Sequence, residues 1–183
     1  MLQYWQELIS LVGVLAYIVK SADPDGIEMF YTISPESVKS KDSSALVKSV
    51  QKTRPQGISD IGMGLNLILN PYNAKLEKTF GSASVAANAR EDIRELSLYV
   101  LTDGVWQPDS DAEAPIKDLV RTLLKQRKLN KKQVGIQFIR FGNDPEGIRK
   151  LQKLDDELTI SESGGQLSVH TLNPNLFIYR TDD

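Results

Sequence analysis

Leu8, Leu11, Val12, Leu15, Ile18 and Val19 recur at spacings that place them on one side of a helix over Leu2 to Lys20, with Gly13 a mild weakness. Asp23-Pro24-Asp25-Gly26 ends it, because these residues favour turns. Ile27 to Ile33, rich in aromatic and β-branched residues, reads as a strand. Polar Ser34 to Asp42 reads as a surface loop. Ser44 to Lys52 predicts a short helix with Leu46, Val47 and Val50 inward, broken at Thr53-Arg54-Pro55-Gln56-Gly57. Ile61, Leu65, Ile68 and Leu69 mark the apolar face of a second helix. Ser59 or Asp60 is its natural N-cap, since either side chain can accept from the free N–H groups of the first turn.

Lys78 to Arg90 has small residues and no period, and is expected to be a long exposed connection. Ser97 to Gly104 is the most informative stretch. A near-continuous apolar run that ends in an acid and a glycine suits a central parallel strand covered on both faces. Asp103 then lies at the strand's carboxyl end, the edge where open α/β sheets bind ligands. The competing reading is a plain Asp-Gly turn. After a polar acidic loop, Pro115 to Lys128 predicts a helix with Pro115 in its first turn and Lys125, Arg127 and Lys128 near the negative end of its dipole. Val134 to Gly142 is the next strand, and Asn143-Asp144-Pro145 opens a helix through Leu154. Leu167 to Thr171 is a last short strand. Alternating strands and helices predict an α/β fold with a mostly parallel sheet, in one domain over residues 1–172 with a tail over 173–183.

Composition narrows the function classes. A chain of 183 residues is long enough to bury a core, and a net charge of −2 lacks the basic field that non-specific nucleic-acid binding needs. There are no cysteines, and His170 is the only histidine. Thiolate chemistry and a His-rich metal site are thereby excluded, and His170 reads as a surface histidine rather than a member of a catalytic triad. No Gly-rich phosphate loop with its Lys and no Gly-x-Ser-x-Gly occurs. An α/β hydrolase or nucleotide-binding enzyme is therefore the runner-up to a non-enzymatic binding module. Leu8 to Val19 is too short to span a bilayer and no Lys or Arg precedes it, so the expected setting is intracellular, cytoplasmic or nuclear, without a membrane. Asp109, Asp111 and Glu113 alternate without an EF-hand's glycine and bidentate acid, and read as a solvated loop. Lys125, Arg127, Lys128, Lys131 and Lys132 read as a solvated helix end. Trp106 follows the Asp103 loop. It either anchors a protein partner beside Asp60 or packs beneath its own loop.

Three stretches together resemble the von Willebrand factor type A (vWA) domain, in particular the intracellular kind of fungal multidomain proteins. Leu101-Thr102-Asp103-Gly104 is similar to that family's Leu-Thr-Asp-Gly strand end. Gly57-Ile58-Ser59-Asp60-Ile61-Gly62 is similar to its Gly-x-Thr-x-Ile-Gly loop, and Gln137 to Asp144 fits a later strand. The resemblance implies a Rossmann-like sheet, a protein partner, and Mg²⁺ held at the sheet's carboxyl edge by three loops, with Ser59 and Asp103 as ligands. The family's Asp-x-Ser-x-Ser loop and the first strand before it have no counterpart. The implied metal site is thus incomplete, with Mg²⁺ bound weakly or not at all, because Mg²⁺ demands a near-ideal octahedron of oxygens. A fragment of a larger protein, a degenerate domain, and a slot for a strand from another chain are the readings this leaves.

Overall fold

The computed structural model describes residues 1–23, 25–80, 93–125, 133–156, 159–162, 165–172 and 175–178, with side chains through Leu154 except Pro35. The chain divides into two compact units, Met1–Asp60 and Ile61–Asp183, where the element pattern predicts one domain over residues 1–172.

In the first unit a 3-10 turn at Leu2–Tyr4 leads into α1, Trp5–Val19. Leu8, Val12 and Ala16 are its buried residues. Ala16 takes the inner position that periodicity gives to Ile18, which is 62% exposed. β1, Ile27–Tyr31, is shorter than predicted because Thr32 and Ile33 form a turn. The expected surface loop after it is a strand instead. β2, Ser34–Ser40, pairs antiparallel with β1, from Ile27 opposite Ser40 to Tyr31 opposite Ser34. Two-residue turns join antiparallel strands directly. Hydropathy misses β2 because Val38 is its only large apolar residue; the ladder and the Ser37 Oγ to Glu28 Oε1 bond of 2.6 Å hold it.

α2, Ser43–Lys52, starts where Asp42 Oδ1 accepts the Ser44 N–H at 2.9 Å, and it buries Leu46 and Val50 as predicted. It packs on α1, where Val47 lies against Gly13. Tyr31 Oη and Ser49 Oγ, 2.9 Å apart, tie β1 to α2. Leu2–Val19, counted with its 3-10 turn, is one helix long and apolar enough to cross a membrane, with 22% of the span buried. The apolar run read from Leu8 alone falls short of that length.

The second unit opens with α3, Ile61–Phe80, which continues through Pro71. Lys78 to Phe80, assigned by sequence to the connection, are helical, because buried Leu76 and Thr79 extend the face begun by Leu65 and Leu69. The rest of that connection, 81–90, lies outside the described residues. β3, Leu96–Thr102, and β4, Val134–Arg140, run parallel in unbroken register from Leu96 opposite Val134 to Thr102 opposite Arg140. α4, Glu113–Lys125, starts before the predicted Pro115, and α5 is Pro145–Asp156.

Ile61, Leu65, Leu69 and Leu76 of α3 form one core with Ile116, Leu119 and Val120 of α4, Val134, Ile136 and Phe138 of β4, and Leu154 of α5. Tyr72 crosses from α3 to both strands: its hydroxyl donates to the Arg94 carbonyl at 2.8 Å and accepts from Gln133 Nε2 at 2.7 Å. Burial is the main cause that raises the Tyr72 pKa, with the Gln133 bond opposing it and the Glu95 charge adding to it.

Three strands follow: β5, Thr159–Glu162; β6, Gly165–Leu172; and β7, Asn175–Ile178. They form an antiparallel sheet in the order β5-β6-β7. β6 covers the strand predicted at Leu167–Thr171, and β7 lies within the stretch predicted as tail. The fold is therefore mixed α/β. Among the described residues parallel pairing is confined to β3 and β4, which corrects the expectation of a mostly parallel sheet. β3 is also not covered on both faces. Leu96, Leu98 and Val100 meet the core, while Tyr99 on the opposite face is 39% exposed.

Candidate functional site at the carboxyl end of the parallel strands

β3 delivers Asp103 to its carboxyl end, as the sequence predicts. The Phe141 N–H donates to the Thr102 carbonyl at 2.8 Å, carrying the parallel pairing up to the loop. Thr102 Oγ1 accepts the Gly104 N–H at 3.0 Å, and Asp103 Oδ1 accepts the Val105 N–H at 3.1 Å. Each is a side chain bonding the backbone two residues on, the mechanism that makes Asp and Thr turn formers. Gly104 has φ +76°, and a Cβ there would overlap the Gly147 backbone; a Cβ on Gly147 would overlap the Asp103 carbonyl. Two backbones thus cross where both residues lack a side chain, the loop after β3 against the first turn of α5. Asp144 Oδ1 fixes that turn by accepting the Gly147 N–H at 2.9 Å, with Pro145 at the first helical position.

The tight crossing decides what the loop presents. Trp106 is only 7% exposed and belongs to the core. Lys150 Nζ stands 5.1 Å from its ring centroid and donates to its carbonyl at 3.5 Å. The expectation that Trp106 anchors a partner is corrected: its ring packs beneath its own loop, because Gly104 turns the chain back toward α5. The exposed apolar residue here is Val105, at 50%. Sequence reasoning passed over it because a lone valine after a strand carries no signal of its own.

The acidic stretch after Trp106 is also more organised than a solvated loop. Ser110 Oγ accepts the Gly62 N–H in the first turn of α3 at 3.0 Å, a role sequence reasoning did not assign to it. Asp111 Oδ1 accepts the Glu113 and Ala114 N–H groups at 2.8 and 3.1 Å, capping α4. An Asp just ahead of an apolar-periodic run was the legible signal for this cap. Glu113 receives Lys117 on one carboxylate oxygen and Lys153 on the other, both at 2.6 Å. The Lys117 hydrogen bond first, and the Lys153 bond second, hold its pKa below the usual carboxylate value.

Ser59 and Asp60 close the first unit, whereas Asp103 and Trp106 belong to the second. Of the residues that the resemblance gives to Mg²⁺, Asp103 accepts the Val105 N–H on one carboxylate oxygen, and among the described residues no group of three or more His, Asp or Glu side chains gathers. His170 lies on β6 opposite Phe177, and Lys125 ends α4; Arg127, Lys128, Lys131 and Lys132 lie outside the described residues. Comparison with family models, curated proteins and solved structures gives no match.

Proposed function

We propose that this chain is a non-enzymatic protein-interaction module of vWA type with an incomplete metal site, and that it binds through the loop after β3. The observation that carries the reading is the crossing of Gly104 and Gly147, which sets a short loop rigidly at the carboxyl end of a parallel strand with Val105 half exposed. A loop held in one shape loses little conformational freedom on binding, so its contacts translate into affinity. The Thr102-Asp103-Gly104 strand end supports the vWA assignment, and with it a Rossmann-like arrangement and a protein partner. An intracellular setting goes with that assignment.

The test is a photo-crosslinking amino acid placed at Val105 and, as control, at Arg121 on the exposed side of α4. Crosslinked species specific to position 105 and abolished by Asp103→Ala are expected. Identical patterns at both positions contradict the reading, as does a hydrolytic turnover that requires Asp103.

A further inference from the structure

α5 follows the connection between β3 and α4 with three residues spaced three apart, about 9 Å of helix axis from first to last. Gly147 meets the backbone of Asp103 and Gly104 at the start of the connection. Lys150 reaches Trp106 in its middle, and Lys153 pairs with Glu113 at its end, at 2.6 Å. These contacts differ in kind. The first is a matter of shape, and the last is a charge pair that Lys117 shares. The Lys150 contact brings one charge to two parts of one residue. Its Nζ stands 5.1 Å from the centroid of the Trp106 ring and donates to the Trp106 carbonyl at 3.5 Å.

A helix lysine ordinarily lays its stem on the protein and carries its charge out to water. Here the ammonium is turned to an aromatic face and a carbonyl, both of which attract a cation. Burial of the ring fixes the Trp106 side chain but not the peptide it hangs from. A cation held by ring and carbonyl together fixes one against the other, and with them the backbone frame of Trp106. Val105 is bonded directly to that frame, and Asp103 Oδ1 holds its N–H from the other side at 3.1 Å. The half-exposed Val105 side chain is thus set by Asp103 before it and by Lys150 through the residue after it.

We infer that Lys150 is a positioning residue of the loop after β3: acting through Trp106, its charge holds Val105 in the orientation offered to a partner. This rests on the loop reading and makes the loop's shape depend on a single charge carried by α5. A cation on an aromatic face at a partly exposed site shifts an equilibrium by a factor of about two to five. That is too little to unfold the unit and enough to change how often the loop opens locally.

The experiment is amide hydrogen exchange by NMR on the full chain, which needs no partner, for the parent, Lys150→Met and Lys150→Arg. Met keeps the stem without the charge, whereas Arg keeps the charge and stacks on aromatic faces. In Lys150→Met the Val105 amide should exchange about two- to fivefold faster, with the amides of the β3–β4 ladder unchanged. Lys150→Arg should hold the parent rate. An unchanged Val105 rate in Lys150→Met, equal acceleration in the Met and Arg variants, or an acceleration that the ladder amides share would each overturn the inference, the last by showing a merely structural role. Crosslinking at Val105 is read separately. Patterns at position 105 that match those at Arg121 in the parent overturn the loop reading, whereas specific crosslinks with Val105 exchange blind to Lys150→Met overturn the positioning role alone.

Discussion

Replacing Gly104 with Ala should destabilise the second unit well beyond what backbone conformation alone explains. Gly104 sits at φ +76°, where a residue with a Cβ is strained by roughly 1–2 kcal/mol. The new methyl would also overlap the Gly147 backbone, which has no flexible side-chain end to swing aside. Relief requires the first turn of α5 to move off, which removes the Asp144 cap on the Gly147 N–H, a further loss of about 1 kcal/mol. Shifting α5 also loosens Leu154 in the core and Lys150 against Trp106, so the total is on the order of 3 kcal/mol or more. For a chain of this size that corresponds to a fall in Tm of about 6–12 °C. Gly57→Ala supplies the control: Gly57 has φ +64° and nothing within 4 Å of a built Cβ, so it bears only the conformational part, about 1–2 kcal/mol. Urea titration by circular dichroism, with tryptophan fluorescence as second probe, measures both variants. If Gly104→Ala costs no more than Gly57→Ala, the crossing does not fix the loop.

Trp106→Ala should destabilise by about 3–5 kcal/mol, as for a core aromatic; a change within about 0.5 kcal/mol in urea unfolding would mean that the ring stands at the surface after all. Tyr72→Phe should cost about 1–2 kcal/mol, because buried Gln133 loses a partner. The Tyr72 pKa is raised in the fold, so this residue's contribution is full below pH 10.0 and declines as pH rises through the higher folded value; Tyr72→Phe should flatten that alkaline loss of stability. Glu113 has the opposite sign. Its pKa is lowered in the fold, so its contribution is present above pH 4.5 and is lost as pH falls through the lower folded value. Glu113→Gln, with the lysines half exposed, should cost about 0.5–1 kcal/mol at pH 7 and converge with the parent in acid-side melts.

How much of this was legible follows from which interactions wrote it. Apolar spacing marked α1, α2 and α3 because those helices bury one side, whereas β3 was marked by a near-continuous apolar run that ends at Asp103, although only one of its faces meets the core. β2 was not legible, since its ladder bonds come from the backbone and its side chains are mostly polar. The end of α3 was hidden because the stretch from Lys78 has small residues and no period, while burial of Leu76 and Thr79 carries the helix on to Phe80. The parallel sheet was overestimated because alternation of elements does not reveal where each strand pairs, and β5, β6 and β7 pair antiparallel. At the site, the sequence marked the turn but not its consequence. That Gly104 meets Gly147, burying Trp106 and exposing Val105, depends on residues over forty positions apart in the chain.

Thermal unfolding of the full chain with and without excess Mg²⁺, for the parent and Asp103→Ala, addresses the nature of this loop most plainly, because a ligand bound only by the folded state raises Tm. With Asp103 acting as a turn former in an incomplete site, the parent Tm is the same with and without Mg²⁺, and Asp103→Ala lowers it equally in both. A Mg²⁺-dependent rise in the parent that Asp103→Ala abolishes would show a working metal site and contradict the assignment of Asp103 to the turn alone.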